Sequence, residues 1–170
     1  VNWLLEHDET DSPIEKHLLA AMIFGHELVN DRFVPVALLR DQKPIFGARC
    51  IQVAPQFRVG VYRLDFAIIL AGPQYLGRIA VECDGHEFHS QTKEQAAHDR
   101  MKDRALATAG WPVLRFTGSE IAQDVEACTR EIRAALNGLM RDQLSAFEHG
   151  RKWERDHAYG ARNARVYRCL

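Results

Sequence analysis

The sequence predicts an α/β fold: a mixed central sheet flanked by helices, in the order αβββαβα. Three observations predict it. Residues 45–84 are dense in Val, Ile, Phe and Tyr, and are interrupted by Pro55, Gly60 and the segment AGPQYL (71–76). A helix-forming stretch, TKEQAAHDRMKDRALATA (92–109), separates the last of these strands from a further short one, PVLRFT (112–117). A strand–helix–strand unit placed after a meander requires parallel and antiparallel pairs in one sheet, with helices on both faces.

Each element follows from local chemistry. The first helix is expected over 13–29. Ser12 caps it, Pro13 suits its first position and Glu15 closes a capping box. Ile14, Leu18, Leu19, Met22 and Ile23 recur at helical spacing. Residues 33–39 (FVPVALL) carry a proline and fit neither period. Ile45–Val53 and Val59–Leu70 read as strands, and the short connection 71–76 makes Val59–Leu70 and Gly77–Asp84 an antiparallel hairpin. Thr92 opens the next helix and Gly110 closes it. A right-handed crossover then lays Pro112–Thr117 beside the hairpin. Thr117 and Ser119 are capping residues for a helix from about Ser119 to Asn137, with Ala122, Val125, Ile132, Ala135 and Leu136 inward. Residues 139–158 are helical again. The expected division is a domain over 1–137 and a helical, basic extension over 138–170.

Composition narrows the class. The chain has 170 residues, 46% hydrophobic and 26% charged, the balance of a globular protein and not of a disordered or coiled-coil one. It holds no apolar run long enough to span a membrane, and its acidic start lacks the basic region and apolar core of a signal peptide. Cys50, Cys83, Cys128 and Cys169 are far apart, with no CxxC pair, so free thiols in a reduced cytoplasm are expected. The net charge of −1 is unevenly spread: residues 1–31 carry −6, residues 32–138 carry +2 and residues 139–170 carry +3. The basic end, with Arg151, Lys152, Arg155, Arg162, Arg165 and Arg168, suits a phosphate backbone; pairing of the two ends is the alternative.

The chemistry lies on two strands. Asp65 interrupts an apolar run, LDFAIIL, and IAVECDG (79–85) ends in Glu82 and Asp84. The period of two puts Glu82 and Asp84 on one face, and the hairpin sets Asp65 beside Glu82. Carboxylates sharing a pocket stay ionised only around a cation, and an all-oxygen set favours Mg²⁺ or Mn²⁺. The simpler alternative is neutralisation by an arginine, with Arg63, Arg78 and Arg115 in the neighbourhood. His86-Glu87-Phe88-His89 with Cys83 permits zinc spacing, but no second Cys/His pair follows.

This pattern resembles the PD-(D/E)XK nuclease superfamily, the restriction-endonuclease-like fold, and within it the very-short-patch-repair-like, or DUF559, branch. The residues that carry the resemblance are Gln56–Phe66, Ile79–His89, Asp99-Arg100 with Asp103-Arg104, and Gly110–Thr117, and it extends over about residues 12–137. It implies a bacterial, divalent-metal-dependent DNA endonuclease. In that frame Asp65 and Glu82 are metal carboxylates, the Cys83 carbonyl is a further ligand, and Glu15 reaches the site from the first helix. Asp84 stands where the superfamily usually has lysine, as a third metal carboxylate. His89 is the implied base, in reach of a water proton at neutral pH. Lys93, Arg100 or Lys102 on the following helix is a substitute for the absent lysine. Together with Gln56 and Arg115 these three are also the candidate nucleic-acid contacts. The expected partner is DNA, with RNA as a further substrate and a dimer as a further state. A catalytically inactive binding module of the same fold, or an RNA-directed nuclease, is the alternative.

Overall fold

Ser12 caps the first helix, α1 (Pro13–Phe24), by accepting the Glu15 N–H at 3.2 Å. The structure, a computed structural model, describes residues 10–25, 35–39, 50–71, 76–85 and 93–157. The capping box takes a variant form. The Glu15 carboxylate accepts the Asp11 N–H at 3.0 Å and the Ser12 hydroxyl at 2.8 Å, not the Ser12 N–H. α1 stops at Gly25, which is extended and returns its N–H to the Ala21 carbonyl, so the helix is shorter than the expected 13–29.

The strands are β1 (Val36–Leu38), β2 (Cys50–Pro55), β3 (Arg58–Val59), β4 (Tyr62–Arg63), β5 (Phe66–Ala71), β6 (Leu76–Asp84) and β7 (Val113–Thr117). Among the described residues five of them form one sheet in the order β1-β2-β5-β6-β7. The outer pairs β1–β2 and β6–β7 are parallel; β2–β5 and β5–β6 are antiparallel. The mixed sheet and the β5–β6 hairpin agree with the reading of the sequence. The expected single strand Val59–Leu70 does not. Gly60, at φ +59°, turns the chain back into a small β3–β4 hairpin before β5 begins. Residues 45–49 lie outside the described residues.

α2 (Lys93–Thr108) ends in a Schellman turn. Gly110, at φ +72°, donates to the Ala107 carbonyl, and Trp111 donates to the Leu106 carbonyl. Thr117 and Glu120 form a reciprocal capping box for α3 (Gly118–Gln123). The expected helix Ser119–Asn137 breaks at Asp124, because its carboxylate accepts the Ala127 N–H at 2.8 Å and starts a new helix. That helix, α4 (Val125–His157), passes Gly138 without interruption. Leu136, Leu139 and Met140 continue its apolar stripe onto the core, which overrides the propensity of the glycine. Ala122 is exposed; α3 buries Gly118 and the larger Ile121.

The pleat sorts the core into two clusters. Phe66, Ile68, Ile79, Val81 and Phe116 face α1, α3 and α4, where they meet Leu18, Met22, Ile121, Ile132 and Leu136. At alternate positions Ala54, Ala67, Ile69 and Ala80 face the other way, with Leu106 of α2 and Trp111. No helix among the described residues is long and apolar enough to cross a membrane.

Candidate active site

Asp65, Glu82, Asp84 and Arg115 occupy the same face of the sheet as Ala67, Ala80 and Val113, by the period of two. Phe66 pairs with Val81, so Asp65 is level with Glu82 one step beyond the last pair. Asp65 Oδ2 accepts the Cys83 N–H at 2.7 Å, which fixes the carboxylate against β6. Burial raises the Asp65 pKa, and the charges of Glu15 and Asp84 add to the rise; the Cys83 N–H opposes it. Burial likewise raises Glu82, against the bond from Lys102, with Asp65 again raising it. The Cys83 thiol is pushed up by burial and by the surrounding carboxylates, so it stays a neutral, unreactive thiol.

α2 supplies the cation. Lys102 Nζ lies 2.6 Å from Glu82 Oε2, with both side chains largely buried. Leu106, one turn further on, is buried, so Lys102 faces inward in the same phase. Lys93 and Arg100 are exposed. Of the three cations proposed to replace the missing strand lysine, Lys102 is the one brought to the carboxylates.

Arg115 sits opposite Glu82 in register but reaches past it. It bonds Asp84 at 3.2 Å and Asp103 of α2 at 2.6 Å, and these partners hold its charge firmly despite burial. The expected meeting of three carboxylates is therefore not found: Asp84 is engaged by Arg115. Among the described residues no three His, Cys, Asp or Glu side chains form a metal-holding cluster. Asp103, named in the sequence only within the Asp103-Arg104 pair, gains a place at the site through Arg115. Arg63 pairs instead with Asp11, and Arg78 caps the end of α2 through the Ala109 and Gly110 carbonyls, so neither neutralises Asp65.

The wall opposite α2 comes from α1. Buried Glu15 accepts Gln56 Nε2 at 2.7 Å, and the Gln56 N–H donates to the Asp65 carbonyl at 2.8 Å. Gln56 has φ +50°, a left-handed conformation costing about 1 kcal/mol in a non-glycine residue. These two bonds hold it there. His89 lies outside the described residues.

The residues fit a hard divalent ion. Glu82 Oε1 is buried and has no hydrogen-bond partner among the described residues, while Oε2 is held by Lys102. Mg²⁺ takes one or two protein carboxylates and keeps several waters, so Asp65 and Glu82 suffice without Asp84. No curated protein and no solved structure matches the chain. Residues 46–136 match the family model REase_MTES_1575, a restriction-endonuclease-like domain; the match covers more than half of the chain and contains every site residue above except Glu15 and Asp11. With its mixed sheet and the strand ends bearing Asp65 and Glu82, the chain belongs to the REase_MTES_1575 family of restriction-endonuclease-like domains.

Proposed function

We propose that the chain is a divalent-metal-dependent endonuclease that hydrolyses DNA phosphodiester bonds. The observation that carries this reading is the pair Asp65–Glu82: two carboxylates on adjacent strands, one oxygen of Glu82 buried without a hydrogen bond among the described residues, the other on Lys102. A buried acceptor left unsatisfied costs about 1–3 kcal/mol, which a bound cation would offset.

Asp65, Glu82 and the Cys83 carbonyl would hold Mg²⁺ or Mn²⁺. When bound, such an ion supplies Lewis acidity at the scissile phosphate and a more acidic water. The chain's own groups do the rest. The Cys83 N–H fixes Asp65 Oδ2 and so sets where its carboxylate faces. Lys102, drawn into the site by Glu82, places an ammonium where the substrate phosphate gains charge, the task of the lysine usually found at the position of Asp84. Arg115 neutralises Asp84 and ties β6 to α2 through Asp103, which holds Lys102 in register. Glu15 and Gln56 fix the turn that precedes Asp65. His89 is the proposed proton acceptor.

The test is plasmid nicking in Mg²⁺ and in Mn²⁺. Asp65→Ala and Glu82→Ala should each slow cleavage at least about a thousandfold, a loss of about 4 kcal/mol in transition-state stabilisation. Cleavage by both variants at the wild-type rate overturns the site. Labelled RNA of the same sequence should be cut far more slowly than DNA.

A further inference from the structure

Among the described residues the sheet stops at β7, and no strand pairs with its outer edge. A groove of about 670 Å³ lies against that edge. Ala107 of α2, Trp111 and Val113 wall it on one side and Leu139 of α4 on the other. The phase of β7 decides which main-chain groups face the groove. The Ala80 N–H donates to the Pro112 carbonyl at 2.8 Å, so Pro112, Leu114 and Phe116 turn their main-chain groups toward β6. Val113, Arg115 and Thr117 turn theirs outward. The Thr117 N–H is taken by Glu120 Oε2 at 2.7 Å, within the capping box of α3. At the other end the Trp111 N–H is taken by the Leu106 carbonyl at 2.9 Å, in the Schellman turn. Val113 and Arg115 remain, each with an N–H and a C=O that no described residue meets.

That set is complementary to itself. In an antiparallel pair, residues that stand opposite each other with outward groups exchange both hydrogen bonds. Setting Val113 opposite Arg115 of a second copy, and Arg115 opposite its Val113, lets every one of these groups bond about a two-fold axis through Leu114. The neighbouring registers fail. Centring the pair on Val113 sets Arg115 opposite Trp111, whose N–H is already held. Centring it on Arg115 opposes like charges and sets Val113 opposite Thr117, whose N–H belongs to Glu120. In the register that survives, each arginine stands opposite a valine and keeps Asp84 and Asp103 of its own chain. The Leu114 side chains meet on the α4 face, since Leu114 and Leu139 pack against the same core.

We propose that β7 is a dimer edge: two copies of the chain join β7 to β7, antiparallel, with Val113 of each opposite Arg115 of the other. Two five-stranded sheets then become one. The two-fold axis is normal to the joined sheet, so both Asp65–Glu82 pairs lie on the same face of it. The inference goes beyond the nuclease reading and stands whether or not the site cleaves. A second copy is the occupant because the available set is short and closed at both ends by Trp111 and Thr117. A longer foreign strand would leave most of its own main-chain groups unpaired, whereas a second β7 offers a set of the same length.

The experiment is sedimentation velocity of the full chain, from low micromolar to hundreds of micromolar. The mass should rise from one chain to two. Val113→Pro removes an outward N–H and leaves the β6–β7 bonds in place, since an edge strand tolerates proline on its open side. It should weaken self-association about tenfold or more, with the melting transition retained. Leu114→Cys places a thiol on each side of the axis. A non-hydrogen-bonded pair holds its Cα atoms about 4.5 Å apart, within disulfide reach. Mild oxidation should therefore link this variant into dimers, unlike the wild-type chain or Val61→Cys, whose added thiol is exposed at the β3–β4 turn. A wild-type chain that stays monomeric throughout overturns the proposal and leaves the edge to another protein. Undiminished association of a folded Val113→Pro chain overturns it too, as does a dimer that Leu114→Cys links no better than Val61→Cys. Should Val113→Pro unfold, amide exchange of the wild type decides. The Val113 and Arg115 amides should exchange more slowly as concentration rises, and equal rates at both ends of the series overturn the proposal.

Discussion

On the side of α1, α3 and α4 the central strands present Phe66, Ile68, Ile79 and Val81; one residue out of phase, on the side of α2, the same strands present Ala67, Ala80 and then Asp65, Glu82 and Asp84. The first face is filled by large side chains from three helices. On the second face the strands offer Ala54, Ala67 and Ala80 beside Ile69, and Leu106 of α2 and Trp111 pack against them. Bulk on one face supplies the hydrophobic stabilisation that lets the other carry buried charge, because each apolar side chain buried contributes about 1.5–3 kcal/mol. Small residues on the second face leave α2 near enough for Lys102 to reach Glu82.

Substitutions on the two faces should separate cleanly. Ile68→Ala, at the centre of the bulky face, should cost about 2–5 kcal/mol in urea unfolding, while Mn²⁺ binding by the molecules that remain folded is unchanged. A lost metal site there would show that the faces are not independent. Lys102→Met should slow plasmid nicking about a hundredfold, about 2.7 kcal/mol, with Mn²⁺ binding by calorimetry retained. Loss of binding in place of rate would make Lys102 a structural partner of Glu82 only. Asp65→Asn gives the smallest effect, and its sign is opposite. Burial raises the Asp65 pKa above its ordinary value of 3.8, so this carboxyl favours folding when protonated, and that contribution is lost as the pH rises through the raised value. Without metal, Asp65→Asn should therefore melt a few degrees above the wild type at neutral pH, by about 1 kcal/mol, and the difference should close in acid. A lower melting point for the variant would show that the ionised carboxylate stabilises the apo fold.

Much of this was legible because period-two patterning is a local property. Asp65 within LDFAIIL and Glu82-x-Asp84 at the end of β6 could be assigned to one face from the sequence alone, and the β5–β6 hairpin followed from a short connection. What was not legible depends on partners distant in sequence. Val59, Val61 and Tyr62 have the β-propensity of one continuous strand, and only the left-handed Gly60 splits it. The rank among Lys93, Arg100 and Lys102 was readable in principle: Lys102 is one turn before Leu106, and Arg100 points away. The fate of Asp84 was not, since period two fixes its face but not whether an ion or a guanidinium meets it. Arg115 and Asp103 settle that by a contact between β7 and α2.

Glu15 joins two jobs that are usually apart. Its carboxylate fastens the start of α1 and, through Gln56, the turn before Asp65. A molecule in which α1 has not docked lacks the brace behind that turn, so the backbone that carries Asp65 is held in part by a helix more than forty residues earlier in the chain.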